Sequence, residues 1–282
     1  MKLMETKKTL YFKGKVIEIP LPSVMGIINL TPDSFYDGGR LRNTDEMLKL
    51  AEKHIHEGAF MLDVGGCSTR PGASVISEIE EIDRVVEPLY QLCRRFPEVP
   101  VSIDTMRKKV AEMAVEAGAT LVNDISAGEF DPEMIDFVSE KGIPYIIMHK
   151  KGMPSDMQNN PDYQDVTTEL LQYFENKIFF LHQKGITDII IDPGFGFGKT
   201  LQHNYTLLKN LSLFRMFNLP VLIGISRKSM IYKALGINPE EALNGTTVLH
   251  TIALMNGANI LRVHDVREAV ETIKLINLFS QK

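Results

Sequence analysis

Eight short apolar runs recur along the chain, each followed by an amphipathic stretch, and this alternation limits the possible folds more than any single residue does. The runs are Val24–Ile28, Phe60–Val64, Val101–Ile103, Thr120–Val122, Tyr145–Met148, Ile189–Ile191, Val221–Ile225 and Ile260–Val263. They are too short for helices and rich in β-branched residues. Apolar residues at successive positions mark strands buried on both faces, as in a parallel sheet. The stretches between them, such as Asp45–Glu57, Glu78–Phe96 and Lys108–Ala117, space their apolar residues as helices do. In the last of these, Val110, Met113, Ala114 and Ala117 form the expected buried stripe. Several helices run into a glycine just before the next strand, at Gly58, Gly118, Gly142, Gly185 and Gly257. Glycine closes a helix in the left-handed conformation at little steric cost.

Strand–helix alternation repeated eight times predicts an α/β fold closed into a parallel (β/α)8 TIM barrel. An open, doubly wound sheet is the competitor, weakened because no Gly-x-Gly-x-x-Gly follows the first run. The 282 residues suit one such barrel, which typically takes roughly 250. No linker or low-complexity tract interrupts the pattern, so residues 1–282 read as a single domain. Residues 1–20, turning around Lys13-Gly14-Lys15, read as a hairpin that closes the barrel floor, and residues 21–282 as the barrel.

A formal net charge of −5 gives no basic face for nucleic acid, and any anionic substrate must be held by local cations. The two cysteines, Cys67 and Cys93, have neither disulfide-framework nor zinc-ligand spacing, which fits a reducing compartment. Met1 to Thr9 carries lysines without the apolar segment of a signal peptide. No apolar run reaches the roughly 20 residues that span a bilayer. The expectation is a cytoplasmic protein with no membrane or nucleic-acid partner.

Barrel strands deliver reactive groups from their C-terminal ends, where the βα loops converge. Here the eight runs exit into Asn29; Asp63; Asp104; Asn123 and Asp124; His149 and Lys150; Asp192; Ser226, Arg227 and Lys228; and Arg262, His264 and Asp265. Any one of these, taken alone, is more readily a helix cap or turn former, and Asp124 and Asp265 are most readily read so. In a closed barrel, however, the whole set converges on one mouth. Arg70, Arg262, His264 and the hydroxyls of Ser68 and Thr69 suit an oxyanion. Asp104, Asn123, Asp192 and Lys228 suit the donors and acceptors of a flat heterocycle. Lys199, in the glycine-rich Asp192–Lys199 segment, is a candidate phosphate ligand without Walker spacing. The segments Thr31–Asn43 and Gly65–Ser77 are long for βα loops and are candidate lids.

The strings MGIINLTPDSF (Met25–Phe35), DVGGCSTRPG (Asp63–Gly72), SIDT (Ser102–Thr105), NDISAG (Asn123–Gly128), DPGFGFGK (Asp192–Lys199), GISRKS (Gly224–Ser229) and RVHDV (Arg262–Val266) together resemble the motif set of the dihydropteroate synthases. The resemblance runs from Val24 to about Val266, with the motifs in family order. It implies a transferase of folate biosynthesis that joins 6-hydroxymethyl-7,8-dihydropterin pyrophosphate to p-aminobenzoate, giving 7,8-dihydropteroate and pyrophosphate. Carried over, it places Asp104, Asn123, Asp192 and Lys228 around the pterin. It places Asn29, Arg262 and His264 at the pyrophosphate, with Asn29 also reaching Mg²⁺. Asp33, Ser34 and Phe35 in one loop and Ser68, Thr69, Arg70 and Pro71 in another would close over the site. Phe197, Pro71 and Ser229 would shape the p-aminobenzoate pocket, where sulfonamide drugs compete in this family. Asp104, Lys228, Arg262 and His264 are the expected catalytic groups.

Cys67 departs from the glutamate that many members carry before STRPG and reads as a small packing residue. Two other readings stay open from sequence. A methyltetrahydrofolate-dependent methyltransferase shares the pterin-binding barrel but needs no pyrophosphate site. A non-catalytic paralogue would bind pterin without turnover. The apolar helices Glu241–Asn256 and Val266–Phe279 suggest a homodimer.

Overall fold

The computed structural model describes residues 6–12, 15–30, 44–67, 76–152, 157 and 161–280. Two antiparallel strands come first, β1 (Thr6–Phe12) and β2 (Lys15–Leu21), paired from Phe12↔Lys15 to Thr6↔Leu21. Eight strands follow in alternation with helices: β3 (Ser23–Asn29), α1 (Thr44–Glu57), β4 (Met61–Gly65), α2 (Glu78–Arg95), β5 (Val101–Asp104), α3 (Lys108–Ala117), β6 (Leu121–Asp124) and α4 (Glu133–Lys141). The second half comprises β7 (Tyr145–Met148), α5 (Val166–Gln183), β8 (Ile189–Asp192), α6 (Leu201–Lys209), β9 (Leu222–Ile223), α7 (Ser229–Leu235), α8 (Leu243–Met255), β10 (Ile260–Val263) and α9 (Val266–Ser280).

The parallel sheet runs β8-β7-β6-β5-β4-β3-β10-β9. A parallel bridge between Ile191 and Val221 joins its two edges, so the sheet closes on itself as a barrel and the open sheet is ruled out. Closure leaves no unpaired edge. All eight expected runs became strands. The seventh is the shortest, because only Leu222 and Ile223 keep ladder pairing before the chain turns at Ser226–Lys228. A short helix, α7, was not foreseen; it follows that turn at once.

Two apolar layers surround the barrel wall. Outward-facing strand residues such as Val64, Ile103, Val122, Ile147, Ile191 and Val263 pack against the helices. Inside the lower barrel, Met25, Met61, Leu121, Ile146, Ile190, Leu222 and Ile260 form one cluster with Leu10, Ile19 and Leu21. The hairpin is therefore the floor of the barrel, as the sequence suggested. Tyr11 adds a polar tie to the barrel, its backbone N–H donating to Asp188 Oδ2 at 2.7 Å.

The buried residues of α3 are Val110, Ala111, Ala114 and Val115, not the expected set with Met113 and Ala117, which are half-buried. The stripe is rotated because α3 packs on α2 as well as on β5. The helix ends at Gly118, whose φ of 124° few L side chains adopt; a Cβ there would also lie 2.7 Å from Cys93 Cβ.

Three histidines, His54, His149 and His250, are buried and held in the neutral form, chiefly by burial. It lowers His149 to about 2 and His250 to about 4, against 6.5 when solvated. A group whose folded pKa lies below its unfolded value leaves stability intact above pH 6.5 and lowers it as pH falls through the window. Nε2 of His250 has no hydrogen-bond partner among the described residues, so replacing it by an apolar side chain forfeits no bond there. His250→Leu is therefore expected to lose stability less steeply than the parent between pH 6.5 and 4, by up to about 1.4 kcal/mol per pH unit. Urea titrations of both proteins at several pH values measure it; identical slopes would show that His250 takes no part in acid unfolding.

Candidate active site

Above the apolar floor the barrel interior turns polar. Parallel pairing brings Gly65 opposite Asp104 and Asp63 opposite Ser102, while Asp104 is opposite Asn123. Paired residues on adjacent strands point to the same face, so these side chains rise together inside the barrel. Four of the strands meet in one buried cluster. Arg262 on β10 donates from Nε to Asp63 Oδ2 at 2.5 Å and from Nη2 to Asp104 Oδ2 at 2.6 Å. Asn123 on β6 donates from Nδ2 to the same Asp63 oxygen at 3.0 Å. Burial pushes Asp104 above the usual carboxylate range, and the Arg262 guanidinium beside it opposes that shift. Asp63 lies at the exit of the second expected run but was assigned no site role; the structure makes it the buried acceptor shared by Arg262 and Asn123. Its position at a strand exit was the available signal.

Asp192 and Lys228 face this cluster from β8 and from the turn after β9. Asp192 Oδ1 accepts the Gly194 N–H at 2.8 Å, and burial raises its carboxyl. Burial lowers Lys228 to about 8, with Asp192 acting against the shift. Lys228 donates to Phe195 O, and its Nζ stands 4.3 Å from the centre of the Phe197 ring. Phe197 packs in a small apolar cluster with Ile125, Met148 and Met157, with Met106 half-buried against it. A bank of polar groups thus adjoins a small apolar cluster. That arrangement can hold a flat, hydrogen-bonding ring by its edge and cover part of its face.

The glycine-rich segment after β8 is built around Lys199, which is fully buried. Its Nζ donates to Gly194 O at 2.9 Å, Phe197 O at 3.1 Å and His149 O at 3.2 Å, and lies 3.1 Å from His149 Nδ1. With every contact made inside the protein, Lys199 is a clamp on this loop rather than a phosphate ligand. Gly194 follows from the same close packing, since a Cβ there would sit 2.0 Å from His149 O. His149 is likewise taken up in holding the loop.

At the last two strand ends, His264 Nδ1 lies 3.1 Å from Ser226 Oγ, and Arg227 makes a two-point ion pair with Asp265. Asp124 accepts from Ser126 N and Oγ, Gly128 N and Tyr145 OH, at 2.6 to 2.7 Å. Both aspartates given a structural reading from sequence have that role. Asn29 ends β3 at the mouth and is half-buried, and Ser229 opens α7 directly after Lys228. Asp33, Ser34, Phe35, Ser68, Thr69, Arg70 and Pro71 lie outside the described residues. Cys67 is half-buried beside Glu81, with its thiol pushed up mainly by burial. A thiol so placed is a poor nucleophile, in keeping with a packing role.

Residues 25–264 match the family described as pterin binding enzyme. The dihydropteroate synthase of Escherichia coli K12 is 44% identical over 269 residues, covering 95% of this chain and 95% of that protein. The crystal structure of the Yersinia pestis dihydropteroate synthase in complex with a sulfonamide drug superposes with a TM-score of 0.91. It is 42% identical and covers 96% of this chain and 99% of that one. The Xanthomonas albilineans dihydropteroate synthase with 4-aminobenzoic acid gives a TM-score of 0.90 at 36% identity, covering 98% of this chain and all (100%) of that one. A closed barrel, a polar cluster at its mouth and this level of identity over nearly the full length agree: the chain belongs to the pterin-binding enzymes and, within them, to the dihydropteroate synthases.

Proposed function

We propose that this chain condenses 6-hydroxymethyl-7,8-dihydropterin pyrophosphate with p-aminobenzoate, releasing pyrophosphate and 7,8-dihydropteroate. The observation that carries the reading is the convergence of Asp63, Asp104, Asn123, Asp192, Lys228 and Arg262 on one mouth beside the Phe197 cluster. Carboxylates accept from the ring N–H and exocyclic amine of a pterin, Asn123 both donates and accepts, and Lys228 donates to a ring oxygen or nitrogen.

An arylamine is a weak nucleophile that is already neutral at pH 7, so the step needs no strong general base. The barrier lies in breaking the bond to the leaving group. As pyrophosphate departs, Arg262, His264 and Arg70 bear on its growing charge, while Asp104 stabilises positive charge spread over the pterin ring. This division favours a dissociative, SN1-like path in which the amine captures a bound cation.

Mg²⁺ fits this site as a companion of the substrate. No cluster of three His, Cys, Asp or Glu able to hold a metal occurs among the described residues, whereas Asn29 offers an amide oxygen at the mouth. Mg²⁺ usually keeps several waters and takes one or two protein oxygens plus substrate phosphates. Asn29 would hold it, and when bound it would supply positive charge to the pyrophosphate. Thr69, Pro71, Asp33, Ser34, Phe35 and Ser229 complete the proposed substrate contacts, with Phe197, Pro71 and Ser229 at p-aminobenzoate.

Residues 1–282 form one domain in this reading, acting in the cytoplasm; no helix among the described residues is long and apolar enough to cross a membrane. A homodimer is supported by α8, which lacks charged side chains and exposes Val248, Ile252 and Met255, and by Leu275, Leu278 and Phe279 exposed on the neighbouring α9.

A turnover assay with the pterin pyrophosphate, p-aminobenzoate and Mg²⁺ tests the reaction. Dihydropteroate and pyrophosphate are expected in equal amounts. A folded protein that binds pterin and forms no product would favour the non-catalytic paralogue.

A further inference from the structure

Two side-chain ties, one residue apart, join the ends of β9 and β10. Ser226 Oγ lies 3.1 Å from His264 Nδ1 and also accepts the backbone N–H of His264 at 3.3 Å. One residue further, Arg227 Nε and Nη2 donate to Asp265 Oδ2 and Oδ1 at 2.8 and 2.7 Å. Arg227 adopts φ of 55°, in the left-handed region that L residues rarely enter, and its N–H donates to Thr246 Oγ1 at 3.1 Å. This turn sends Arg227 to Asp265 while the residues on either side, Ser226 and Lys228, serve His264 and the barrel mouth. Backbone strain held at such a point marks a geometry the surrounding contacts enforce.

The hydroxyl of Ser226 has one proton and two lone pairs. The His264 N–H occupies one lone pair. Ser226 is buried, and among the described residues its proton has no other acceptor than His264 Nδ1. A buried hydroxyl that left its proton unused would bear the cost of desolvation with no bond to offset it. The bond therefore runs from Ser226 Oγ–H to Nδ1, and this decides where the imidazole carries its own proton.

We propose that Ser226 is a positioning residue for the reaction: its hydroxyl fixes neutral His264 as the Nε2–H tautomer, so that the ring offers a proton rather than a lone pair to the departing pyrophosphate. The proposal rests on the reading of His264 as a pyrophosphate ligand. In the opposite tautomer Nε2 would turn a lone pair toward an anion and repel it. The Ser226 bond to one ring nitrogen thus sets the chemistry of the other.

Nitrogen-15 NMR of the histidine-labelled enzyme at alkaline pH, with His264→Gln used to assign the signal, reads the tautomer directly. Wild-type His264 is expected as Nε2–H, and Ser226→Ala as a mixture of tautomers. Turnover of Ser226→Ala is expected to fall about 10- to 100-fold with KM for both substrates changed less than about threefold, as befits a misplaced catalytic contact. A wild-type Nδ1–H tautomer overturns the proposal, as does a Ser226→Ala enzyme with unchanged tautomer and turnover. Failure of the underlying reading looks different: His264→Gln would then keep full turnover, whatever the tautomer.

Discussion

Arg262→Ala is expected to lower kcat by about 10²- to 10³-fold, the loss typical of removing one preorganised donor from a developing anion. The dissociation constant for the pterin substrate should move by less than about tenfold, because the proposed ring contacts of Asp104, Asn123, Asp192 and Lys228 would remain. The structure adds a consequence that the charge alone does not suggest. Arg262 is bonded to both Asp63 and Asp104, so its removal leaves two buried carboxylates facing each other. Breaking a buried pair in this way typically costs about 3–5 kcal/mol of stability, limited by the option of one carboxyl taking up a proton. Arg262→Lys separates the two effects. A lysine can pair with one carboxylate but cannot bridge two, so much of the stability should return and little of the turnover. Steady-state kinetics with urea unfolding on both variants checks this. Parallel losses in kcat and pterin affinity would place Arg262 in ground-state binding instead.

Lys199→Met should rank next. Lys199 Nζ donates to three backbone carbonyls and lies against Nδ1 of His149 inside the protein. Methionine matches its length but donates nothing, and each buried acceptor left unpaired costs roughly 1–3 kcal/mol. A destabilisation of about 3 kcal/mol or more is expected. The same loop carries Phe197 and the Phe195 carbonyl that receives Lys228. KM for p-aminobenzoate should rise about tenfold or more, since small misplacement of a binding wall is expensive. Pterin affinity should change less. An equal loss for both substrates would show that the clamp supports the whole mouth rather than the arylamine side. His149→Asn provides a milder test of the same clamp if Lys199→Met fails to fold.

Much of the barrel was legible because its physics is local. A strand buried on both faces must be continuously apolar, and helices lying on it must be amphipathic, so periodicity placed eight strands with errors of a residue or two. The hairpin was readable from the Lys13-Gly14-Lys15 sequence, and Leu10, Ile19 and Leu21 supply the apolar face that makes it the floor. The seventh strand and α7 were harder. Val221–Ile225 reads as one apolar run, and Gly224 is the one local sign that pairing ends after Ile223.

The site divided in the same way. Asp104, Asn123, Asp192, Lys228, Arg262 and His264 were legible as candidates from strand exits and motif strings. What each touches was not. Asp63 looked like another exit residue and proves to be the acceptor shared by Arg262 and Asn123. Lys199 had the look of a phosphate ligand and is an internal clamp. Ser226 carried no signal of a tie to His264, 38 residues away.

The sequence by itself determined the strand–helix order, the floor, the family and the residue types at the mouth, because these follow from periodicity and from motifs confined to short segments. Only the tertiary structure decided closure through Ile191 and Val221, the pairing of Arg262 with two carboxylates, and the contact between Ser226 and His264. Those depend on which side chains meet across the barrel. Burial then sets the strength of each contact, and neither distance nor burial is written in local sequence.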